Sequence, residues 1–227
     1  MGGQPASPAI RVARQDVRIP PLGLPGILQL PEPVRALVVF AHGSGSSRLS
    51  PRNTAVAGAI NSRGMATLLF DLLTDEEEGN RANVFDIPLL AGRLTQAVQW
   101  VGQQPQLQKL PIGLFGASTG AAAALVAAAH LGERIGAVVS RGGRPDLAAP
   151  ILGDVKSPTL LIVGGLDTQV IGMNRSAFSA LPEPKAMQIV PNASHLFSEP
   201  GTMAAVIAHA TRWFEIYLCA DAGMSQA

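Results

Sequence analysis

Residues 116–120 read Gly-Ala-Ser-Thr-Gly, so a lone serine, Ser118, stands between Gly116 and Gly120. The apolar run LPIGLFG precedes it and an alanine-rich segment follows. A serine on a sharp strand-to-helix turn is a nucleophile elbow: the turn lifts the hydroxyl clear of the sheet. Strand and helix then lie so close that small residues are required on either side, and alanines 121–123 continue that pattern. A serine hydroxyl is a weak nucleophile until a neighbouring base takes its proton. His130 falls inside the alanine-rich helix and His209 inside a C-terminal helical pattern, both away from the elbow. His42 opens the loop HGSGSS and is expected to shape it. His195, in VPNASHLFSEPG after the last expected strand, is the candidate base. An imidazole in that role needs an acid to orient it and stabilise its cation. Asp167, in GGLDTQV, is the expected acid, and Asp146, in RGGRPD, is the rival.

Acyl transfer, the chemistry such residues perform, also needs donors aimed at a developing oxyanion. One donor is expected to be the backbone N–H of Thr119, next to the serine. The second is expected from the loop AHGSGSS at 41–47, with Ser44 first and Gly43 or Gly45 as alternatives. These glycines let the backbone approach a substrate closely. The loop lacks the lysine of a P-loop and the Gly-x-Gly-x-x-Gly spacing, which argues against a nucleotide cradle. Arg141 and Arg144 are expected at the site's rim, either contacting a substrate carboxylate or paired with nearby acids. No metal or organic cofactor is expected. The single cysteine, Cys219, excludes a CxxC site, and the adjacent acids Asp75 to Glu78 read as a solvated loop rather than a cation cage.

The elements that must hold these residues are legible as periodicity. Continuous apolar runs at 35–43, 65–73, 110–116, 135–140, 158–165 and 185–191 read as strands buried on both faces, the habit of parallel sheets. DVRIP and PGILQLP near the start read as a shorter antiparallel edge pair. Ile87, Leu90, Ala91, Leu94, Ala97, Val98 and Val101 mark one helical face, and Met203 to Tyr217 repeat the pattern. Segments 51–63 and 172–181 are weaker helices. Strand–helix alternation predicts a doubly wound α/β domain with helices on both faces, whose loops after the strands share one edge. The expectation is a single domain over residues 1–227, its core at about 15–218.

Composition narrows the partners. Lys and Arg total 17 against 16 Asp and Glu, a net charge of +1 that provides no footprint for nucleic acid or an anionic membrane. The uncharged stretch 110–132 is too rich in Gly, Ala, Ser and Thr, and too early broken by Pro111 and Gly116, to read as a membrane span. The N-terminus shows no apolar signal region, and one cysteine suits a reducing compartment, so a cytoplasmic location is expected. The expected partner is a small-molecule ester, and no oligomeric state follows from these patterns.

Taken together, VVFAHGSGSSRLSPRN, LLFDLLTDEEE, FGASTGAAAAL, VVSRGGRPDL, LLIVGGLDTQV and NASHLFSEPG make the chain resemble the α/β-hydrolase superfamily over about residues 15–218. The likeness is to serine-dependent members of the dienelactone hydrolase-like branch. It implies the α/β-hydrolase fold and the chain order Ser118, Asp167, His195 for a catalytic triad. Dienelactone hydrolase proper uses cysteine where this chain has Ser118. The gap RGGRPDLAAPILGDVKS at 141–157 holds one short helix and no cap domain. A shallow pocket and short acyl groups are expected; loop 72–86 could fold over the site, but it is polar and short.

Overall fold

The structure is a computed structural model that describes residues 10–219. All six continuous apolar runs are parallel strands: β3 (Ala36–Ala41), β4 (Met65–Phe70), β5 (Ile112–Ala117), β6 (Ile135–Arg141), β7 (Thr159–Gly164) and β8 (Lys185–Val190). All but β8 are continuous because each strand feeds two cores; β8, at the sheet's edge, buries only Val190 and leaves Gln188 and Ile189 exposed, so burial on both faces does not extend to it. In β3, Leu37, Val39 and Ala41 face one hydrophobic cluster while Ala36, Val38 and Phe40 face the other. The eight-stranded order is β1-β2-β4-β3-β5-β6-β7-β8. This is the α/β-hydrolase fold expected above.

At the sheet's start, β1 (Arg11–Ile19) and β2 (Leu24–Glu32) pair antiparallel, and β2 joins β4. At nine residues each they are the longest strands, not a short pair. Their register runs unbroken from Arg11 opposite Glu32 to Ile19 opposite Leu24. The outer strand is exposed along most of its length, so it carries little apolar signal from which to read its extent.

Helices α4 (Ile87–Gly102), α5 (Thr119–Leu131) and α6 (Thr168–Ala180) pack on one face, and α1 (Pro51–Asn61) and α7 (Thr202–Leu218) on the other. The acidic stretch expected as a loop instead forms two single turns, α2 (Asp75–Glu78) and α3 (Arg81–Val84). A capping box starts α2, where Thr74 Oγ1 accepts from Glu77 N–H and the Glu77 carboxylate accepts from Thr74 N–H, and Asn80 Oδ1 caps α3 by accepting from Ala82 N–H. Glu77 also pairs with Arg93 on α4 at 2.7 Å, which fixes the segment to the body of the fold. Between β6 and β7 lies only a 3-10 segment, Pro145–Asp154, and no cap.

The elbow depends on how closely α5 approaches the sheet. A Cβ placed on Gly116 would lie 2.4 Å from Ala121 Cα, and one on Gly120 would lie 2.3 Å from the Ala41 carbonyl oxygen. Both contacts are with backbone, which cannot swing aside. Gly92, within α4, has nothing within 4 Å of a built Cβ. Gly120→Ala is therefore expected to destabilise the fold by about 3 kcal/mol or more, whereas Gly92→Ala is expected to stabilise it by about 0.5–1 kcal/mol. Urea unfolding of the two variants checks this, and similar midpoints would show that α5 has room to retreat.

Candidate active site

The C-terminal ends of β3, β5, β6, β7 and β8 bring together the residues singled out above. Ser118 follows β5 with φ 52° and ψ −120°, a left-handed conformation that is costly for a side-chain-bearing residue. Its amide donates to the Arg141 carbonyl at 3.2 Å, and its own carbonyl accepts from Ala121 and Arg144 N–H. Both backbone groups are thus tied down. Ser118 occupies the N-cap position of α5 but its hydroxyl caps nothing, which leaves Oγ available to the site.

His195 lies in the turn after β8. That turn is pressed onto Gly164, where a Cβ would meet the Ala193 and Ser194 carbonyls at 2.4 and 2.6 Å. Leu166 N–H donates to the Ala193 carbonyl, and Ser194 N–H donates to the Glu199 carboxylate. The imidazole so placed has Nε2 3.3 Å from Ser118 Oγ and Nδ1 2.7 Å from Asp167 Oδ2. Asp167 sits at the N-cap of α6 without capping it, so its carboxylate is free for the ring. Its side chain is 15% exposed against 39% for His195, so the acid is shielded while the base is open to an incoming water. The rival acid, Asp146, is engaged by a two-pronged contact with Arg144 at 2.9 and 2.7 Å. His130 is exposed on α5 and His209 is half-buried on α7. His42 shapes the loop, as expected: its Nδ1 lies 3.0 Å from the Gly43 carbonyl and its Nε2 accepts from Leu72 N–H.

Thr119 is the first residue of α5, where a backbone N–H has no partner within the helix. The Ser44 N–H donates to Thr119 Oγ1 at 3.0 Å, so this amide is held by the threonine hydroxyl, beside the serine. A Cβ on Gly43 would lie 2.9 Å from Ser118 Cβ, so no side chain fits there. Gly45 adopts φ 65° and turns the loop outward with open space around it.

Two clefts meet at these residues. One, beyond Thr119 and Ser44, is apolar and lined by Leu72, Leu73, Val84 and Leu90. Segment 72–86 thus walls the cleft beyond Thr119 and Ser44, while Ser118 and His195 line the other one. The cleft holds only about 10 Å³, about one probe sphere of water. The other, of about 200 Å³, is lined by Ser118, His195, Ser44, Ser46, Arg52 and Arg141.

Arg141 differs from its expected place at the rim: it is 7% exposed. Strand parity explains this, since Ala137 and Val139 on the same face of β6 belong to the core beneath α1 and α7. Among the described residues it has no carboxylate partner, and its Nε is buried without a hydrogen bond. Phe197 lies 5.9 Å away beneath the guanidinium. Burial, reinforced by the charge of Arg52, pulls its pKa down to about 10. Arg144, by contrast, is the paired arginine that the sequence allowed. Arg52, the second residue of α1, was not foreseen. Its only sequence signal is its place just after the glycine-rich loop, in a helix that begins Ser-Pro.

Residues 94–150, which include the elbow, match the family described as BAAT / Acyl-CoA thioester hydrolase C terminal. The crystal structure of a dienelactone hydrolase from Anabaena variabilis is similar at TM-score 0.87 and 51% identity, covering 92% of this chain and 99% of that one. Est1E from Butyrivibrio proteoclasticus shares the fold at TM-score 0.77 with 14% identity, covering 92% of this chain and 99% of that one. Two Mycobacterium tuberculosis proteins, from strains CDC 1551 and H37Rv, are 54% identical over 214 residues and bear the provisional name phosphoribosyl transferase. The match covers 94% of this chain and 48% of theirs, so the chain spans about half the length of the curated relatives it matches. Among the described residues no helix is long and apolar enough to cross a membrane.

A guanidinium whose pKa falls on folding destabilises the fold wherever it stays charged. The penalty is complete below about pH 10 and fades as the pH rises toward the ordinary arginine value. Arg141→Met, which keeps the length and removes the charge, is expected to raise the unfolding free energy at neutral pH by about 1–3 kcal/mol. Urea melts measure the change, and a loss of similar size would mean that the guanidinium is well partnered after all.

Proposed function

This chain belongs to the dienelactone hydrolase-like branch of the α/β-hydrolases, and from that premise we propose that it is a serine hydrolase cleaving small carboxylic esters. The observation that carries the reading is the continuous contact from Ser118 Oγ to His195 Nε2 and from His195 Nδ1 to Asp167. Ser118 Oγ attacks the acyl carbon as His195 Nε2 takes its proton. The imidazolium so formed is stabilised by Asp167, and the negative oxygen by the Thr119 N–H. Ser44 N–H joins as second donor when it turns from the threonine hydroxyl to the oxyanion. His195 then gives the proton to the leaving alkoxide, and a water activated by the same ring releases the acyl group from Ser118. The reaction in this form calls on no metal or cofactor.

A second reading has its own support. The match at residues 94–150 is to a family described by thioester hydrolysis, and the same residues would serve a thioester or an acceptor other than water. A fold that binds a ligand without turning it over is the alternative of another class; the aligned serine, imidazole and carboxylate weigh against it. The phosphoribosyl transferase name belongs to proteins about twice as long as the matched region.

Ser118→Ala is expected to lower kcat by about 10⁴-fold or more, and Asp167→Asn by about 10³–10⁴-fold. Asp146→Asn is expected to stay near the parent enzyme. Steady-state kinetics on an acetyl ester checks all three, and the reverse ranking of the two aspartates would move the acid to Asp146. No cap covers the site and the apolar cleft beside it is narrow, so only a few acyl methylenes find cover. Each buried methylene is worth about 0.8 kcal/mol, and carbons beyond the cleft gain nothing. kcat/KM on p-nitrophenyl esters is therefore expected to peak between acetate and butyrate and to fall by octanoate. A maximum at dodecanoate would show that α2 and α3 move aside to open a tunnel.

A further inference from the structure

The 200 Å³ cleft beside Ser118 contains a charge arrangement that ester hydrolysis alone does not require. Arg141 enters it from the end of β6 and Arg52 from the first turn of α1. Both are on the same side of the sheet, because residues 137, 139 and 141 of β6 share the face on which α1 packs. The Nε atoms of both guanidinium groups are buried without a hydrogen-bond partner. No acidic residue lines the cleft, and neither arginine forms an ion pair among the described residues. The nearby carboxylates are engaged elsewhere: Asp167 by His195, Asp71 by Arg48 and Asp146 by Arg144. Arg141 is buried with its Nε unpartnered and has no counter-ion, which is costly, and the fold retains it at the mouth of the candidate nucleophile.

We propose that Arg52 and Arg141 form a phosphate subsite, and that the substrate is a short acyl ester of a phosphorylated alcohol. The inference rests on the hydrolase reading above and adds the substrate class. Charge and geometry favour a phosphate over a carboxylate. Two unpaired cations answer a dianion, whereas one carboxylate leaves a guanidinium uncompensated. The donors converge from three directions, α1, β6 and the loop carrying Ser46, which suits a tetrahedral group better than a planar one. The positive end of α1, an 11-residue helix, adds to the same field. The position also assigns the phosphate to the leaving half of the ester. His195 must protonate the leaving oxygen, and His195 lines the arginine cleft, while the narrow apolar cleft beyond Thr119 receives the acyl group. In the reaction the C–O ester bond breaks and the acyl group passes to Ser118 Oγ. The serine proton travels through His195 to the alcohol oxygen, and the phosphate remains on the departing alcohol throughout.

Three acetyl esters that differ only in the far group test this: acetoxyethyl phosphate, acetoxypropionate and neutral methoxyethyl acetate. The expected kcat/KM for the phosphate ester is about 100-fold above the neutral one and about 10-fold above the carboxylate, the scale of added charge-assisted hydrogen bonds. Those ratios are expected to collapse toward unity in both Arg52→Gln and Arg141→Gln. Inorganic phosphate binding to Ser118→Ala, measured by calorimetry against chloride at matched ionic strength, reads the subsite without turnover. Binding is expected in Ser118→Ala and is expected to vanish when either arginine is also replaced. A carboxylate ester as good as the phosphate ester overturns the proposal, as does phosphate binding that survives both replacements. Equal turnover of all three esters would overturn the subsite and leave the hydrolase reading intact. Phosphate binding at the arginines with no ester turned over would remove the hydrolase reading, and the proposed substrate class with it.

Discussion

The site hangs from the close approach of α5 to the sheet. Helix and strand can meet at the elbow only because Gly116 and Gly120 present no side chain to the backbone of Ala121 and of Ala41. That contact turns the chain through φ 52° at Ser118 and leaves its hydroxyl standing clear of the strand. The strain, on the order of 1–3 kcal/mol, is held by the surrounding packing. Ala122, Ala123, Leu125 and Ala128 of α5 are fully buried in the core shared with α4, which holds the helix against the sheet. Every later feature takes its position from this one. Gly43 can lie against Ser118 Cβ, Thr119 N–H opens the helix beside it, and the His195 turn closes from the far side over Gly142 and Gly164.

A second constraint is electrostatic and works against stability. Most charged groups near the site are matched: Glu77 with Arg93, Asp71 with Arg48, Asp146 with Arg144. Arg141 is not, and burial depresses its pKa. A fold that pairs these ions while leaving Arg141, and Arg52 with it, unpaired beside the candidate nucleophile has the pattern of a functional site, where local stability is lower than packing alone would permit.

Much of this was legible from residue order, for identifiable reasons. The parallel strands stood out because burial on both faces makes all but β8 continuous apolar runs, and Ser118, Asp167 and His195 because each follows an apolar run at the same sheet edge. The rivalry between Asp167 and Asp146 also had a local answer, since Arg144 two residues before Asp146 was near enough to claim it. What the sequence hid depends on distant partners. The length of β1 is set by pairing with β2 and not by its own exposed residues. The turn at 75–78 arises from Thr74 and Glu77 capping each other, a pattern present in TDEE but masked by its charge, and the turn at 81–84 from Asn80 capping Ala82 N–H. Arg141 follows Val139 by two residues on a buried face, so its inward direction was written in the pleat. Its meeting with Arg52 required knowing which helix covers that face.

The central claim is that Ser118 is a nucleophile activated by His195 and Asp167, and intact-mass spectrometry with a fluorophosphonate tests it most directly. The serine oxygen displaces fluoride from phosphorus, and the adduct maps to one peptide. The account predicts a single stoichiometric adduct on Ser118, absent in Ser118→Ala and formed at least about 100-fold more slowly in His195→Ala, since an unassisted serine is a poor nucleophile. Labelling at the same rate without His195, or an adduct on another residue, would contradict it.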